Sequence, residues 1–495
     1  MAICFELIAR ATKMMATNLE EREFILFVKQ ECRTCQMLEP LIRSFAARHA
    51  ELTIFVQDDP GYLCDLGARY DETLEASFRA GIEITPTLIR REAGQEAGRA
   101  VGWDRGEWES LTGESWESPG IPAFQPGCGS KTREPGVYER LVARYGETGL
   151  SSRRIEIGEW DDPIETCFDR GWTDGLPVVP PTDERILRML GGTSRRPDEV
   201  IGLMPPNLAP CTVEKVAINA VMAGCKPEYL PVVLAAVEAA LDPLFTLHGL
   251  LCTTCFSSPI VIVNGPIAKT IGMNWGMNAL GQGNRANATI GRALQLIVRN
   301  IGGGRPGELD RATLGGPGKY TFCFAEDETD RTWEPLAQSR GIVPGRSAVT
   351  LFQGEGILGV VDMKSRTPQQ LVKSLAMSLL TVGHYKQAQY YDALLVVAPE
   401  HYKIFRDAGW DRRRITRELL AATTRPGHDL IAGAQGVGEG IAQHRSGEMV
   451  PKFWEDGLLI VRAGGEAGLY SAICGGWTGH RFHDESQPIT REIRE

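Results

Sequence analysis

The sequence predicts an α/β protein built from a small N-terminal unit and a larger C-terminal α/β region. Short apolar runs typical of buried strands alternate with segments of helical periodicity, on both sides of a stretch rich in Gly, Pro and Ser. At 495 residues the chain is also too long for one ordinary hydrophobic core. We therefore divide it into an N-terminal domain over residues 1–111, a linker over 112–158, and a large α/β domain over 159–495.

The N-terminal unit reads as an alternation of strands and helices. A buried strand, "EFILFV", precedes a helix in which Leu38, Leu41, Ile42 and Phe45 recur at helical spacing. Three further strands follow, and a short helix near Trp108 completes the unit. The segments that predict these strands are "LTIFVQ", "TPTLIRR" and "GRAVGW".

The linker is predicted from its composition. The segment "GESWESPGIPAFQPGCGSKTREPG" is rich in Gly, Pro and Ser and shows neither the period of a strand nor that of a helix. One short helix is expected after it, at "VYERLVARY".

The large region contains several strand–helix units in succession, which is typical of α/β domains. Two of these units, "IVIVNGPIAKTIGMNW" and "LLVVAPEHYKIFRDAGW", share the order of an apolar strand, a small residue, a proline, a helix, a glycine and an aromatic residue. This echo predicts that the large domain consists of two duplicated βα halves. A ligand pocket is then expected in the cleft between the halves.

Charge and hydropathy argue against several functions. The net charge of −10 argues against non-specific binding to nucleic acid or anionic membranes, because both require a basic face. The longest stretch without charged side chains, residues 243–268, is interrupted by Pro and Gly, so we predict a buried loop and strand there instead of a membrane helix. The first residues are charged and lack a secretory cleavage pattern, so we expect a cytoplasmic protein.

Cys32 and Cys35 follow the first strand, at the predicted start of a helix. Two cysteines at this spacing face the same way, and the exposed backbone N–H groups of a helix start favour the thiolate of the first one. The pair is either redox-active, or two inert buried thiols, or half of a zinc site completed by Cys4 and Cys64. The spacing alone does not decide between the first two interpretations, and no ligand spacing supports the third.

Residues 21–111 resemble a thioredoxin-fold domain. The buried strand, the Cys-x-x-Cys motif, a helix containing Pro40 and the later segment "ITPTLI" with Pro86 occur in the order found in that family. The resemblance implies that Cys32 attacks a disulfide and that Cys35 resolves the mixed disulfide. It also implies that Pro86 follows a cis peptide bond, in a loop that binds the partner's extended chain. A redox pair is therefore favoured.

The N-terminal domain departs from the thioredoxin pattern in three places. Glu31 stands where an aromatic residue often precedes the first cysteine, Arg33-Thr34 stands in place of Gly-Pro, and Leu26 occupies the position of a buried acid. Without that acid the resolving thiol lacks a proton acceptor, which argues for a dedicated or internal substrate. We expect Arg33 to lower the pKa of Cys32 and Glu31 to raise it.

A second pair, Cys252 and Cys255, lies four residues after His248. Three interpretations are open. His248 and the two thiolates could form a zinc site with one open position. The cysteines could be buried thiols beneath a strand. They could also receive electrons from Cys32 and Cys35, which belong to the same chain.

Glycine-rich turns and strand ends supply candidate substrate-binding residues. Asn284, Arg285 and Asn287 lie at a predicted helix start, where backbone donors and a guanidinium can hold a carboxylate or phosphate. Lys319 lies on another glycine-rich loop, and His401 follows a strand at the end where open α/β sheets place their sites. The alternatives are simple tight turns and an ordinary histidine at a helix start.

The large region is also similar to a large bacterial protein family, some of whose members are associated with UGSC (seleno)proteins. The segments that carry this similarity are "RGWTDGLPVVPPT", "EKVAINAVMAGCKPEYLPVVLAAVEAAL", "NALGQGNRANATIGRALQLIVRN" and "PGKYTFCFAEDE". The resemblance implies redox or thiol chemistry and supplies no settled reaction.

Together these features predict a thiol-disulfide oxidoreductase module that supplies electrons to a fused α/β catalytic domain. That domain is expected to act on a small anionic molecule or an internal thiol. The alternatives are a lyase or hydrolase with a regulatory redox pair, and a non-enzymatic thiol-linked binding module. The expected redox group is a disulfide, with zinc at His248, Cys252 and Cys255 as the alternative. The sequence leaves open whether the chain forms a homo-oligomer.

Overall fold

The chain folds into two compact units, each with its own hydrophobic core. A computed structural model describes residues 22–158, 160–330, 332–477 and 486–494. The units are Met1–Thr148 and Gly149–Glu495. The structure is a mixture of helices and sheets, as the alternating apolar patterns predict.

The first unit is a mixed sheet with helices packed against it. Its helices are α1 (Arg33–Ala46), α2 (Glu75–Arg79), α3 (Arg105–Thr112) and α4 (Val137–Tyr145). Its strands are β1 (Arg22–Val28), β2 (Leu52–Val56), β3 (Arg69–Tyr70), β4 (Ile84–Thr85), β5 (Thr87–Glu92), β6 (Gln95–Val101), β7 (Trp103–Asp104), β8 (Phe124–Gln125) and β9 (Cys128–Gly129). The central sheet has the order β3-β2-β1-β5-β6, in which β1 runs parallel to β2 and antiparallel to β5.

The core of the first unit lies between α1 and this sheet. Leu38, Ile42 and Phe45 recur at helical spacing on one face of α1 and are buried in the same cluster as Phe24 and Leu26 of β1. The buried side chains of β1 and of α1 therefore share one core.

Most of the predicted linker packs within the first unit. Trp116 is buried, and its ring centroid lies 4.8 Å from those of Phe45 and Trp108. Further along, β8 pairs with β7, and β9 pairs with β4. The Gly and Pro content predicted a linker, whereas the chain in this segment is irregular but folded.

The larger unit contains a second sheet with helices on both sides. Its helices are α5 (Pro163–Asp169), α6 (Asp183–Leu190), α7 (Val213–Ala223), α8 (Leu230–Ala240), α9 (Leu247–Cys252), α10 (Pro266–Thr270), α11 (Arg285–Ile297), α12 (Leu336–Ser339), α13 (Pro368–Leu379), α14 (Pro399–Asp407), α15 (Arg412–Thr423) and α16 (Gly427–Leu430). Its strands are β10 (Val200–Met204), β11 (Ala209–Thr212), β12 (Ser258–Asn264), β13 (Cys323–Ala325), β14 (Ala348–Val361), β15 (Ala393–Val397), β16 (Arg425–Pro426), β17 (Met449–Val450), β18 (Leu458–Arg462), β19 (Tyr470–Gly476) and β20 (Ile489–Glu492).

The second sheet has the order β13-β12-β14-β19-β15-β18, and β20 pairs with β14 as well. The pairs β12–β13 and β15–β18 are parallel. The remaining pairs, β12–β14, β14–β19, β15–β19 and β14–β20, are antiparallel.

The two ends of this sheet share one hydrophobic cluster. In β12, Val261 and Val263 bury against α7, α8 and α11, whereas Ile260 and Ile262 share a cluster with Leu394 of β15. The alternation of side chains thus gives each end of the sheet a helix-covered outer face and a shared inner face. Apolar side chains fill most of that inner face, and two pockets are lined by residues from both ends of the sheet, one with Ala279 and Val396 and the other with Asn264 and Arg412.

Membrane-spanning length was checked among the residues that the structure describes. No single helix there is both long and apolar enough to cross a bilayer. One pair, Pro227–Ala240 with Pro243–Cys252, reaches the required length and composition only jointly, and it is bent by 75°. The uncharged stretch over 243–268 forms α9 and the buried strand β12.

Candidate functional site

Cys32 occupies the position immediately before α1, where the turn after β1 enters the helix. Its carbonyl accepts the N–H of Gln36 at 3.0 Å, so the cysteine already belongs to the first helical turn. Cys35 lies one turn later, and both side chains are fully buried. Both are free thiols. The first backbone N–H groups of α1 therefore point toward the Cys32 sulfur.

The Cys32 sulfur is held as a thiolate. Hydrogen bonds from the thiol and backbone N–H of Cys35, together with those of Cys128, lower the pKa of Cys32 to about 4, against the opposing effect of burial. Burial and the neighbouring Cys32 thiolate raise the pKa of Cys35 well above its ordinary value. The pair therefore consists of one ionised sulfur and one protonated donor.

The third thiol, Cys128, was not predicted from the sequence. Burial, followed by its hydrogen bond to Cys32, raises the pKa of Cys128, so it is a protonated donor like Cys35. Neither Glu31 nor Arg33 is among the main causes of the Cys32 shift. Hydrogen bonds from two thiols, and not the charges of Glu31 and Arg33, therefore lower the pKa of Cys32.

Pro86 lies beside this centre, as the resemblance implies. The Thr85–Pro86 peptide bond is cis. The Thr85 carbonyl accepts a hydrogen bond from Cys32 Sγ at 3.3 Å in the protonated state of that thiol. β4, which ends at Thr85, pairs antiparallel with β9 in a register that places Thr85 opposite Cys128.

We call residues 124–130 the strap, because this segment crosses the surface that would expose Cys32. Thr34 Oγ1 donates to the carbonyl of Pro126 at 2.7 Å, and the N–H of Ser130 donates to the carbonyl of Glu83 at 2.8 Å. Cys32 is 0% exposed beneath the strap. Cys128 itself is partly exposed.

Gly127 lets the strap lie against the loop that contains Pro86. A Cβ at Gly127 would overlap the Ile84 side chain and would lie 2.6 Å from the Thr85 carbonyl oxygen. At Gly129, two residues along the same strap, a Cβ would meet nothing within 4 Å. The close approach at Gly127 is therefore specific to one position.

The zinc site predicted at His248, Cys252 and Cys255 is not supported by the arrangement of side chains. Cys252 is exposed at the end of α9, Cys255 is partly buried, and both are free thiols. In the described part of the chain, no three His, Cys, Asp or Glu side chains are grouped to hold a metal ion. His248, Cys252 and Cys255 therefore do not form a ligand set. Cys4 lies outside the described residues.

The residues predicted to bind an anion at α11 are engaged in the fold. Asn284 caps the helix by accepting the N–H of Asn287 at 3.0 Å, and Arg285 donates to the Gly224 carbonyl at 2.9 Å. Asn287 is buried and donates to the carbonyls of Asn274 and Ala279. These hydrogen bonds stabilise the turn that precedes α11, which agrees with the alternative interpretation of the segment as a structural turn.

Lys319 and His401 are likewise occupied within the larger unit. The Lys319 ammonium contacts both carboxylate oxygens of Asp310, at 2.7 and 2.6 Å. His401 is fully buried, with Nδ1 at 2.8 Å from Ser471 Oγ and Nε2 at 3.1 Å from the Asp362 carbonyl oxygen. Both ring nitrogens therefore have partners inside the protein.

The larger unit has a polar cleft that the sequence did not indicate. Its volume is about 1120 Å³, and it opens at the carboxyl ends of β12 and β13. Asn264, the last residue of β12, donates to Glu326 and Glu328 at 2.7 and 2.8 Å. Arg412 pairs with Glu326 at 2.6 Å, and both side chains are buried. A buried polar network thus forms the wall of the cleft.

Comparisons with known proteins give likenesses for the N-terminal part alone. No family model matches the chain, and no curated protein matches it. Among solved structures, a thioredoxin of Fasciola hepatica is 21% identical, with 21% of this chain and 91% of that chain covered and a TM-score of 0.15. Thioredoxin NaTrxh of Nicotiana alata is 24% identical, with 21% and 81% covered and a TM-score of 0.14. StoA from Bacillus subtilis is 17% identical, with 17% and 76% covered and a TM-score of 0.15.

These likenesses concern about a fifth of the chain, and values this low carry no argument about function. The thioredoxin-like fold of the first unit is carried instead by its strand order and by the positions of Cys32 and Pro86. The similarity of residues 159–495 to a bacterial family stays an expectation from the sequence.

Proposed function

We propose that the first unit carries out thiol–disulfide exchange, with Cys32 as the nucleophile and Cys35 as the resolving thiol. The observation that carries this proposal is the position of Cys32 at the start of α1, with its sulfur 3.3 Å from the Thr85 carbonyl that precedes the cis Pro86. The neighbouring Cys35 and Cys128 thiols lower the pKa of Cys32 to about 4. A thiolate is the species that attacks a disulfide, and an inert buried pair would have no reason to be ionised.

The exchange transfers two electrons from the cysteine pair to a substrate disulfide. The Cys32 thiolate attacks one substrate sulfur, which forms a mixed disulfide and releases the other substrate sulfur as a thiolate. Cys35 then loses its proton to that released thiolate and attacks Cys32. This second step forms the Cys32–Cys35 disulfide and frees the second substrate thiol. No acidic side chain takes part, in keeping with the buried Leu26 in the position of the family's acid.

Mapping of disulfides tests this function. The reduced full chain is incubated with oxidised glutathione, and disulfide-linked peptides are identified by mass spectrometry without reduction. We expect a Cys32–Cys35 disulfide, its loss in Cys32→Ser, and its retention in Cys64→Ser, a matched change of an exposed thiol. Cys32 and Cys35 that both stay free thiols while Cys64 reacts would contradict the proposal.

For the larger unit we propose a ligand-binding, catalytic role that the thiol unit serves. The polar cleft at the ends of β12 and β13 supports this role, because open α/β sheets place ligands at the carboxyl ends of strands. Lys269 and Arg413 are exposed lining residues that can contact a small anionic molecule, and acidic side chains such as Glu328 and Glu334 line the same cleft. If the thiol unit supplies electrons, turnover is lost in Cys32→Ser and restored by dithiothreitol. Turnover that is the same in Cys32→Ser as in wild type favours a lyase or hydrolase with a regulatory redox pair.

We also infer that the larger unit is built from two duplicated halves. Two series of elements, β12, α10, α11, β13, β14 and β15, α14, α15, β18, β19, follow the same order of strands and helices; the first also contains α12 before β14, and the second also contains β16, α16 and β17 before β18. In each, the first strand pairs parallel with the fourth element and antiparallel with the fifth. A glycine-lined pocket of about 430 Å³ at the ends of β15 and β18 is the counterpart of the polar cleft. Superposition of the two segments tests this inference, and unrelated helix positions would overturn it.

A further inference from the structure

We propose that Cys128 is a third redox-active residue, which the strap presents to Cys32 as an internal substrate and which forms a Cys32–Cys128 disulfide. This inference rests on the proposed exchange function of Cys32. It assigns a role to a segment that the composition of the chain marks only as a linker.

The strap pairs with the first unit as an added strand. β9 runs antiparallel to β4, and the register sets Cys128 opposite Thr85, the residue before Pro86. This pairing is the way an extended peptide joins an exposed strand: main-chain hydrogen bonds give the affinity and one side chain is delivered to a defined point. Here that side chain is the Cys128 thiol, and the point is Cys32 Sγ, which lies 3.3 Å from the carbonyl oxygen of Thr85, the residue paired with Cys128.

The fit of the strap to this position is close. The carbonyl of Pro126 accepts from Thr34 Oγ1 in the first turn of α1, and a Cβ at Gly127 would overlap Ile84. Cys32 is completely covered, whereas Cys128 is partly exposed. An external thiol or disulfide therefore reaches Cys128 while the strap is in place, and reaches Cys32 only after the strap has moved.

The chemistry balances as two exchange steps. In the first, the thiolate of Cys128 attacks Cys32 in the Cys32–Cys35 disulfide. The Cys32–Cys128 bond forms, the Cys32–Cys35 bond breaks, and Cys35 takes up the proton that Cys128 released. In the second, an external dithiol attacks the partly exposed Cys128 sulfur and displaces Cys32, whose low pKa makes it a good leaving group. The second thiol of the reductant then frees Cys128, so two electrons pass from the dithiol to the protein.

The test uses the full chain with Cys35→Ser, which removes the competing partner of Cys32. The reduced variant is treated with oxidised glutathione, and disulfide-linked peptides are mapped by mass spectrometry without reduction. We expect a Cys32–Cys128 disulfide as the main product involving Cys32. In the matched variant Cys35→Ser/Cys128→Ser we expect Cys32 to end as its glutathione mixed disulfide, since no internal thiol resolves it.

The outcomes separate this inference from the proposed function. If wild type forms Cys32–Cys35 but Cys35→Ser leaves Cys128 free, with Cys32 either free or bound to glutathione, the role of Cys128 is overturned and the exchange function stands. If wild type and Cys35→Ser both leave Cys32 a free thiol, the exchange function itself fails. A Cys32–Cys128 disulfide in Cys35→Ser supports both.

Discussion

At the scale of single residues, the neighbours of the Cys32 sulfur decide its chemistry. The sulfur is buried, and burial alone would raise its pKa by disfavouring the charged form. Hydrogen bonds from the Cys35 and Cys128 thiols and from backbone N–H groups outweigh that effect, and the Cys35 thiol contributes most. Burial, followed by the hydrogen bond to Cys32, raises the pKa of Cys35 and that of Cys128.

Removal of either donor thiol should raise the pKa of Cys32. Because the Cys35 thiol makes the largest contribution, we expect Cys35→Ala to raise this pKa from about 4 by more than Cys128→Ala does. Absorbance of the thiolate near 240 nm, followed against pH and referred to Cys32→Ser, measures the shift in each variant. Equal pKa values in wild type and Cys35→Ala would contradict the assignment of the donor.

A second residue-scale prediction concerns the buried ion pair of the larger unit. Glu326 is 5% exposed and accepts hydrogen bonds from Arg412, Asn264 and the backbone N–H of Leu336. Glu326→Ala leaves the buried Arg412 guanidinium without its carboxylate, which should lower the free energy of unfolding by about 3–5 kcal/mol. Chemical denaturation of the full chain measures the loss.

The matched control for Glu326 is Glu418, which pairs with Arg417 on the surface at 3.3 Å. Exposed pairs contribute little, so Glu418→Ala should cost less than about 1 kcal/mol. Similar losses of unfolding free energy for Glu326→Ala and Glu418→Ala would contradict the buried ion pair between Glu326 and Arg412.

At the scale of elements, the strap controls access to Cys32. Its pairing with β4 is short, and its position depends on a glycine that has no room for a side chain. We expect Gly127→Ala to displace the strap and to increase the rate at which a maleimide labels Cys32 by at least about tenfold. The reason is steric overlap with Ile84, since a contact of this kind forces one of the two segments to move.

Gly129→Ala is the control for the strap, because the added methyl group meets nothing within 4 Å. It should leave the labelling rate of Cys32 within about twofold of wild type. Circular dichroism of both variants checks that the unit is still folded. A folded Gly127→Ala protein that labels no faster than wild type would refute the covering role of the strap.

The sequence predicted Cys32, Cys35 and Pro86 of this site but not Cys128 in the strap. Cys32 and Cys35 were found because their spacing matches one turn of a helix, and Pro86 because a family motif surrounds it. Cys128 lies 96 residues after Cys32 by chain number, so no spacing rule joins them. The one local signal was a cysteine between two glycines, Gly127 and Gly129, in a segment read as linker. Only strand pairing brings that cysteine to the site.

The residues of the candidate anion site have partners within the fold, for a physical reason that the sequence does not show. Asn284 is a good residue to start a helix, and the same property that suggested an anion site makes it a cap for the α11 N–H groups. Asn287 and Arg285 complete the turn by bonding to backbone carbonyls. A sequence shows that donors gather at a helix start, but it does not show whether the protein's own backbone already uses them.

At the scale of the whole molecule, the sequence predicted more of the first unit than of the larger unit. The first unit has local signals in almost every element, so its α/β class and its pair of cysteines followed from the sequence. In the larger unit, the apolar strands β12 and β15 were recognised, but the hydrophobic cluster that includes Ile260 and Leu394 joins residues that are distant in sequence. The polar cleft at Asn264 and Glu326 arises from the same long-range pairing.

The central claim is that the Cys32 sulfur is ionised at neutral pH and exchanges disulfides. The pH dependence of its reaction with a small disulfide, followed on the Cys32 peptide of the full chain, tests this claim directly. A folded pKa of about 4 keeps the thiolate present at pH 6 and pH 8, and it is lost only as the pH falls through about 4. Residues 124–130 of the strap contain no acidic residue or histidine that titrates over this range.

We therefore predict rates at pH 6 and pH 8 that agree within about twofold. A thiol with the ordinary pKa of about 8.5 would instead react about 75-fold more slowly at pH 6 than at pH 8. A decrease of that size for Cys32 would contradict the account.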